Sequence, residues 1–249
     1  MSKRTAQLAS VSNIDTNVKA SHKLRVTLDQ MLTCDPMTEN QRKFFQLYKQ
    51  QTPAILLHGV AGTGKTFIAL YKALEEVLDR GNQFHQVIVV RSAVPSREIG
   101  HLPGDEQEKS EVYMAPYIDI CDRLFHNRPD AWQRLMEQKA VRFMITSFVR
   151  GITLDNSIVI VDECQNMSDM ELNSIMTRIG TNSKIIFCGD FRQTDLYKKH
   201  DMSGLQKFMG IIDMMPSFQS IEFEAADIVR SDIVREYILA RMQYENSYK

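Results

Sequence analysis

The eight residues from Gly59 to Thr66 restrict the fold of this chain more than any other stretch. They read G-V-A-G-T-G-K-T and match G-x-x-x-x-G-K-[ST], the pattern of a phosphate-binding P-loop. The short apolar segment Ala54–Leu57 precedes them, and the segment Phe67–Leu78, with apolar residues at helical spacing, follows. A strand, this loop and a helix in that order predict an α/β fold with a nucleotide-binding site.

The loop divides the recognition of phosphate between its backbone and two side chains. Glycines let successive N–H groups turn toward the β-phosphate, where the following helix N-terminus adds partial positive charge. Lys65 is predicted to reach the β- and γ-phosphates, and Thr66 to bind Mg²⁺, so we expect ATP and Mg²⁺ as cofactors. The predicted nucleotide-binding residues of the loop are Gly59, Val60, Ala61, Gly62, Thr63, Gly64, Lys65 and Thr66.

Composition allows a sizeable core and argues against several classes of protein. The chain has 249 residues, 43% of them hydrophobic, which predicts one domain over residues 23–249 after a polar, flexible tail over residues 1–22. The net charge of −1 means that any nucleic-acid binding needs a local basic patch. Four widely spaced cysteines indicate neither a zinc site nor a disulfide framework, and favour a reduced, cytoplasmic setting. We expect no membrane segment and no secretion signal, because no apolar run has the required length or layout.

A second chemical landmark is the apolar run Ile158–Val161, which ends in Asp162 and Glu163. This is the Walker B pattern. Asp162 is predicted to hold Mg²⁺ through the metal's water shell, and Glu163 to activate the attacking water as a general base. An apolar run ending in two acids is also an ordinary strand exit. The P-loop earlier in the chain favours the catalytic interpretation.

Two glutamines have more than one interpretation. Thr38 predicts a helix N-cap, and Gln41 lies three residues later, at the capping-box position. Gln41 either completes this cap or also reads an adenine edge, and local physics alone favours the cap. Gln193 follows the predicted strand Lys184–Cys188, where it either senses the γ-phosphate and orients water or simply occupies a tight polar turn.

The order of the predicted elements indicates the architecture. Strand-like runs alternate with helical segments from the P-loop to the C-terminus, which predicts a mostly parallel sheet with helices on both faces. A loop is predicted over residues 98–108, a helix follows near Val112–Phe125, and Trp132 is most simply a core anchor. One strand, Gln86–Arg91, lies between the P-loop and the Walker B strand, and Val141–Ile145 is predicted at an edge. Together with a Glu after the Walker B Asp, this is the layout of RecA-like P-loop NTPases. We therefore predict a RecA-like ATPase rather than a small-molecule kinase.

Several stretches occur together in a recognisable order. They are Asn40–Gln41, Gly62–Thr66, Arg91–Val94, Leu102–Asp105, Glu108–Lys109, Asp162–Asn166, Gly189–Asp190 with Gln193 and Asp195–Leu196, and Asp227–Arg230. With them, the chain from about Asp35 to about Ala240 resembles the PhoH-like family of phosphate-starvation-inducible ATPases, which is related to the core of superfamily 1 helicases. The loop after Arg91 and the D-E-x-Q-N form of Walker B are more specific than the P-loop alone.

The resemblance implies an ATPase with Arg230 at a position like that of an arginine finger, which touches the nucleotide and stabilises the transferring phosphate. A finger supplied by a neighbouring subunit implies a homo-oligomer, for which a hexameric ring is one arrangement. The alternative for Arg230 is an ion pair with Asp227 or Asp232. Superfamily 1 helicases pair two RecA-like domains, whereas one is predicted in this chain.

The function that follows is hydrolysis of ATP coupled to RNA or single-stranded DNA. The alternative is an assembly protein in which ATP sets the oligomeric state. Short forms of the family are common in bacteriophages, so the resemblance is also compatible with a phage-encoded protein acting in its host's cytoplasm.

Overall fold

The computed structural model describes residues 25–79, 81–92, 106–126, 128–190 and 207–247, and the predicted tail over residues 1–22 lies outside them. Its strands are β1 (Ala54–Gly59), β2 (Gln86–Arg91), β3 (Val141–Ile145), β4 (Ser157–Asp162), β5 (Lys184–Gly189) and β6 (Phe218–Phe223). They form one sheet in the order β3-β2-β4-β5-β1-β6, and every neighbouring pair is parallel. The sheet confirms the predicted α/β class, and β3 lies at an edge as expected.

The helices connect these strands as the alternation predicted. They are α1 (Glu39–Lys49), α2 (Lys65–Leu78), α3 (Glu106–Leu124), α4 (Ala131–Glu137), α5 (Asp169–Met176) and α6 (Asp232–Ser247), and residues 207–212 are also helical. The sequence predicted a loop over residues 98–108, but α3 begins at Glu106. The loop-forming glycines and prolines end at Gly104, and the charged residues that follow are good helix formers.

Helices cover both faces of the sheet because the strand residues alternate between two cores. Ile158 and Ile160 of β4 point into the core formed with α1, α2, α3 and α4. Val159 and Val161 point into the core formed with α5 and the helical residues 207–212. Each fully buried Ile or Leu contributes roughly 1.5–3 kcal/mol to the free energy of unfolding. Trp132 is buried in the first core, as its interpretation as a core anchor predicted.

Parallel pairing gathers the carboxyl ends of β1, β4 and β5 at one edge of the sheet. The P-loop follows β1 and the Walker B acids follow β4, so the topology alone brings the two motifs together. No helix within the described ranges is long and apolar enough to cross a membrane.

Candidate nucleotide-binding and hydrolysis site

The start of the P-loop is anchored on β6. The N–H of Val60 donates to the carbonyl oxygen of Phe223 at 2.9 Å. Gly59 has a φ of 114°, and a Cβ at this position would lie 2.1 Å from that same carbonyl oxygen. Only glycine fits so close to a neighbouring backbone, so this first residue of the motif is required by packing as well as by phosphate chemistry.

Lys65 lies at the centre of the loop. Its ammonium group donates to the carbonyl oxygens of Val60 at 2.7 Å and Gly59 at 3.1 Å, and to Oγ1 of Thr63 at 3.2 Å. Burial lowers the pKa of Lys65 from its ordinary value, and the nearby carboxylate of Asp190 opposes this shift. The predicted phosphate ligand is therefore a cation enclosed by the loop that it belongs to.

The two predicted magnesium ligands contact each other. Oγ1 of Thr66, in the first turn of α2, donates to Oδ1 of Asp162 at the end of β4, over 2.8 Å. Oδ2 of Asp162 accepts from the hydroxyl of Tyr117 on α3, also at 2.8 Å. One hydroxyl and one carboxylate beside a P-loop fit Mg²⁺, which takes oxygen ligands and few of them from protein.

Asp162 is almost fully buried, and its environment acts on its pKa in two directions. Burial raises the pKa of this carboxyl, and the charge of Glu163 adds to the effect. The hydrogen bonds from Tyr117 and Thr66 act in the opposite direction, as does the charge of Arg91. The net shift is upward, so a nearby cation would stabilise the ionised form.

Glu163, the predicted general base, stands at a strained position. Its φ of 52° is left-handed, which costs on the order of 1 kcal/mol for a residue other than glycine and often marks functional sites. Oε2 of Glu163 accepts from Nε2 of Gln165 at 2.5 Å, and Oε1 of Gln165 accepts from the N–H of Asp190 at 3.1 Å. The buried side chain of Gln165 thus links the predicted base to the end of β5.

Gln41 contacts the loop from α1. Thr38 is the N-cap, as predicted, because its Oγ1 accepts from the N–H of Gln41 at 3.3 Å. The side chain of Gln41 does not return to the N–H of Thr38 as a capping box requires. Its Oε1 accepts from the N–H of Met37 at 2.8 Å, and its Nε2 donates to the carbonyl of Thr63 at 3.0 Å. The amide therefore joins the start of α1 to the P-loop.

Arg230 lies beside the P-loop of its own chain. The N–H of Val229 donates to the carbonyl oxygen of Gly62 at 3.0 Å, and Cγ of Arg230 is 3.1 Å from where a Cβ on Gly62 would be. Among the described residues, Arg230 forms no ion pair with Asp227 or Asp232. Asp227 instead accepts from Nδ2 of Asn40 at 2.7 Å. The described residues thus show neither ion pair of the structural alternative for this arginine, and its role stays a prediction.

These groups share one cleft of about 650 Å³, a volume typical of a small-molecule site. Gly59 and Val60 do not line this cleft, and Gln193 falls outside the described residues. Residues of α3 also line the cleft, namely Pro116, Asp119, Ile120 and Arg123. The predicted residues that line the cleft are Gln41, Ala61, Gly62, Thr63, Gly64, Lys65, Thr66, Asp162, Glu163 and Arg230.

Sequence reasoning missed two side chains that hold the site together. Gln165 belongs to the D-E-x-Q-N stretch, so its position was noticed, but its contact with Glu163 was not predicted. Tyr117 carries no motif at all and lies 45 residues before Asp162 in the sequence. The only signal near it was the helical spacing that predicted α3.

Comparison with known proteins identifies the family. The family model described as "PhoH-like protein" matches residues 33–242. A PhoH-like protein from Synechocystis is 34% identical over 211 residues, which cover 84% of this chain and 62% of the relative. One from Bacillus subtilis is 33% identical over 204 residues, which cover 82% of this chain and 62% of the relative. The chain thus spans less than two thirds of the length of these curated relatives.

Solved structures provide a more distant comparison. The large terminase of a thermophilic bacteriophage is 15% identical, with a TM-score of 0.47, and the match covers 82% of this chain and 50% of that one. The family match and the curated relatives extend over most of this chain, from before the P-loop to α6. The chain belongs to the family of PhoH-like proteins.

Proposed function

We propose that this protein is an Mg²⁺-dependent ATPase of the PhoH-like type, which couples hydrolysis to the binding or remodelling of RNA or single-stranded DNA. The contact between Thr66 and Asp162 carries the proposal, because it joins the P-loop to the Walker B strand at one point. Glu163 lies next to this point in the same cleft. A P-loop fold that only held a nucleotide would have no need of the second acid.

Each residue has a defined part in this proposal. Lys65 exchanges loop carbonyls for oxygens of the β- and γ-phosphates, and Thr66 and Asp162 are the residues that would hold Mg²⁺. When bound, Mg²⁺ neutralises charge on the phosphates. Glu163 takes a proton from the attacking water, and Arg230 stabilises negative charge on the transferring phosphoryl group.

Two glutamines support the hydrolytic step in this proposal. Gln165 holds the carboxylate of Glu163 through its amide, so the base keeps one orientation while water is positioned. Gln193 remains the predicted sensor of the γ-phosphate or of the attacking water. Coupling to a polynucleotide rests on the resemblance to superfamily 1 helicase cores, and we place the activity in the cytoplasm.

A specific observation favours a second candidate, in which ATP controls assembly. Helix α6 begins beside Arg230, and Ile238 contacts the P-loop near Gly62. The other side of α6 leaves Ile233 71% exposed, and Tyr237 and Tyr244 each 64% exposed. Such an apolar stripe close to the nucleotide is a reasonable contact surface for another protein chain.

The test is steady-state ATP turnover with Mg²⁺, with and without single-stranded RNA or DNA. We expect Glu163→Gln to lower turnover about 100-fold or more and to retain binding of a fluorescent ATP analogue. Lys65→Ala should lose nucleotide affinity. Glu137→Gln, on an exposed part of α4, is the matched control and should behave as wild type.

The outcomes separate the candidates. Severalfold stimulation by one polymer supports coupling to that nucleic acid. The assembly function is supported if neither polymer changes the rate of ATP turnover and if ATP shifts the elution volume in size-exclusion chromatography. Normal turnover by Glu163→Gln would exclude this residue as the base.

A further inference from the structure

A buried tyrosine on α3 contacts the Walker B carboxylate. The hydroxyl of Tyr117 donates to Oδ2 of Asp162 at 2.8 Å, and the tyrosine has no exposed surface. This carboxylate oxygen is not the one that accepts from Thr66. The two oxygens of Asp162 are therefore held separately, by hydroxyls from α2 and α3.

The hydroxyl of Tyr117 is fixed in place by the packing of its ring. The ring stacks on Trp132 of α4, with centroids 5.8 Å apart and planes inclined by 26°. It also packs against Phe143 of β3, with centroids 5.9 Å apart. Three elements of the first core thus determine where the hydroxyl lies, and it cannot swing away without disturbing them.

Two fixed donors determine the plane of the Asp162 carboxylate. With one donor alone, a carboxylate rotates about its last side-chain bond, whose energy profile is broad. Thr66 is itself an expected magnesium ligand, so its hydroxyl serves both the metal and Asp162. Tyr117 serves only the carboxylate, and its hydrogen bond leaves the second lone pair of Oδ2 available to other donors.

We propose that Tyr117 is a positioning residue for the Mg²⁺–nucleotide complex, acting by orienting the Asp162 carboxylate toward the water shell of the metal. The inference rests on the proposed function of this site. A merely structural tyrosine would support folding and leave the Mg²⁺ dependence of nucleotide binding unchanged. The two roles therefore differ in a measurable way.

The experiment uses the full chain and the fluorescent nucleotide mant-ADP, titrated in EDTA and across a series of Mg²⁺ concentrations. Tyr117→Phe keeps the ring and removes the hydroxyl. We expect its mant-ADP affinity in EDTA to stay within about twofold of wild type, because the loop is untouched. Mg²⁺ should raise the affinity for mant-ADP in both proteins. The Mg²⁺ concentration that gives half of this increase should be about tenfold higher in the variant, as expected for losing one hydrogen bond to a charged group.

Two further variants make the result specific. Tyr71→Phe removes a hydroxyl that donates to Glu75 at 3.1 Å on α2, away from the Walker B acid, and should change neither measurement. In an Asp162→Asn background, adding Tyr117→Phe should cause no further change in Mg²⁺ dependence, because both act through one carboxylate. Circular dichroism and thermal unfolding confirm that each variant is folded.

The inference is overturned if Tyr117→Phe weakens mant-ADP equally in EDTA and in Mg²⁺, or leaves the Mg²⁺ dependence within twofold of wild type. It is also overturned if Tyr117→Phe binds Mg²⁺–nucleotide more tightly, since the hydroxyl would then compete with the metal's water. If the wild-type chain binds mant-ADP with the same affinity in EDTA and in Mg²⁺, both the proposed function and the inference are overturned. If mant-ADP binding by the wild type depends on Mg²⁺, and Tyr117→Phe shows the same dependence, the inference alone is overturned.

Discussion

Replacing Gln41 by alanine removes the buried amide that joins α1 to the P-loop. The residue is only 3% exposed, and its amide accepts from the N–H of Met37 and donates to the carbonyl of Thr63. The substitution leaves both backbone groups without this partner. The structure therefore predicts a loss of stability and a displaced loop, whichever base the nucleotide carries.

The size of the effect depends on what each freed group can reach. Met37 is 74% exposed, so water replaces the lost acceptor of its N–H at small cost. Thr63 has no exposed surface, so its carbonyl stays unsatisfied, at about 1–3 kcal/mol. Adding the small term at Met37, we expect the free energy of unfolding to fall by roughly 2–3 kcal/mol. For a chain of this size, that lowers the melting temperature by roughly 5–10 °C.

Thermal unfolding and nucleotide binding test this prediction together. Gln41→Ala should lower the affinities for fluorescent ATP and GTP analogues by similar factors, because the loop holds phosphates rather than the base. Gln46→Ala, an exposed position on the same helix, should change neither stability nor binding. A variant with wild-type stability that lost ATP alone would refute the reasoning and show that Gln41 reads adenine.

Two further predictions concern charged side chains that are buried or half-buried. Burial alone would raise the pKa of Glu171, but hydrogen bonds from Thr146 and Ser168 hold it below its ordinary value of 4.5. Because the folded pKa is the lower one, Glu171 stabilises the fold above about pH 4.5, and this contribution disappears as the pH falls through the folded pKa. In urea unfolding at pH 7, Glu171→Gln should have a lower free energy of unfolding than wild type. Lowering the pH from 7 to 4 should then reduce the free energy of unfolding less in the variant than in wild type. Lys184 is 2% exposed and pairs with Glu76 at 3.0 Å. Changing Lys184 to Met should lower the free energy of unfolding by roughly 3 kcal/mol, because the half-buried carboxylate of Glu76 loses this ion pair and keeps only the weaker hydrogen bond from Gln51. Adding Glu76→Gln should recover part of that loss, and an unchanged urea midpoint for Lys184→Met alone would contradict this account.

The parts of the fold that sequence predicted are those determined by local patterns. The β-branched run of β2 has the boundaries that its composition indicated, because a strand buried on both faces must be apolar along its whole length. The contact between Thr66 and Asp162 was also foreseeable. Each residue ends or follows a parallel strand, and parallel pairing brings those ends to one edge of the sheet.

The parts that sequence missed depend on packing between distant segments. The hydroxyl of Tyr117 donates to Asp162 because of the way α3 packs against the sheet. The spacing of residues within α3 cannot predict that packing. The amide of Gln41 has partners before α1 and within the P-loop, whereas the capping-box rule considers only the helix start. The link from Glu163 through Gln165 to Asp190 depends on two adjacent strand ends, and only the strand order reveals that β4 and β5 are neighbours.

The position of Arg230 leads to a prediction that differs from the expectation of a finger supplied by another subunit. Its side chain lies against Gly62 of its own P-loop and lines the same cleft as Lys65. The adjacent residue, Val229, is tied to that loop by a backbone hydrogen bond. We therefore predict that Arg230 acts on the nucleotide bound by its own chain, and that Arg230→Ala lowers turnover by roughly 10³-fold with little loss of nucleotide affinity.

Mixing two inactive variants distinguishes action within a chain from action between chains. Lys65→Ala cannot use nucleotide but retains Arg230, whereas Arg230→Ala retains the P-loop but lacks the arginine. If the arginine served a neighbouring site, mixed oligomers would contain complete sites, and turnover would exceed the sum of the separate variants. Action within one chain predicts no such gain, because neither variant holds both residues beside one nucleotide. Recovery of turnover on mixing, with size-exclusion chromatography confirming exchange of subunits, would show that the finger acts in trans.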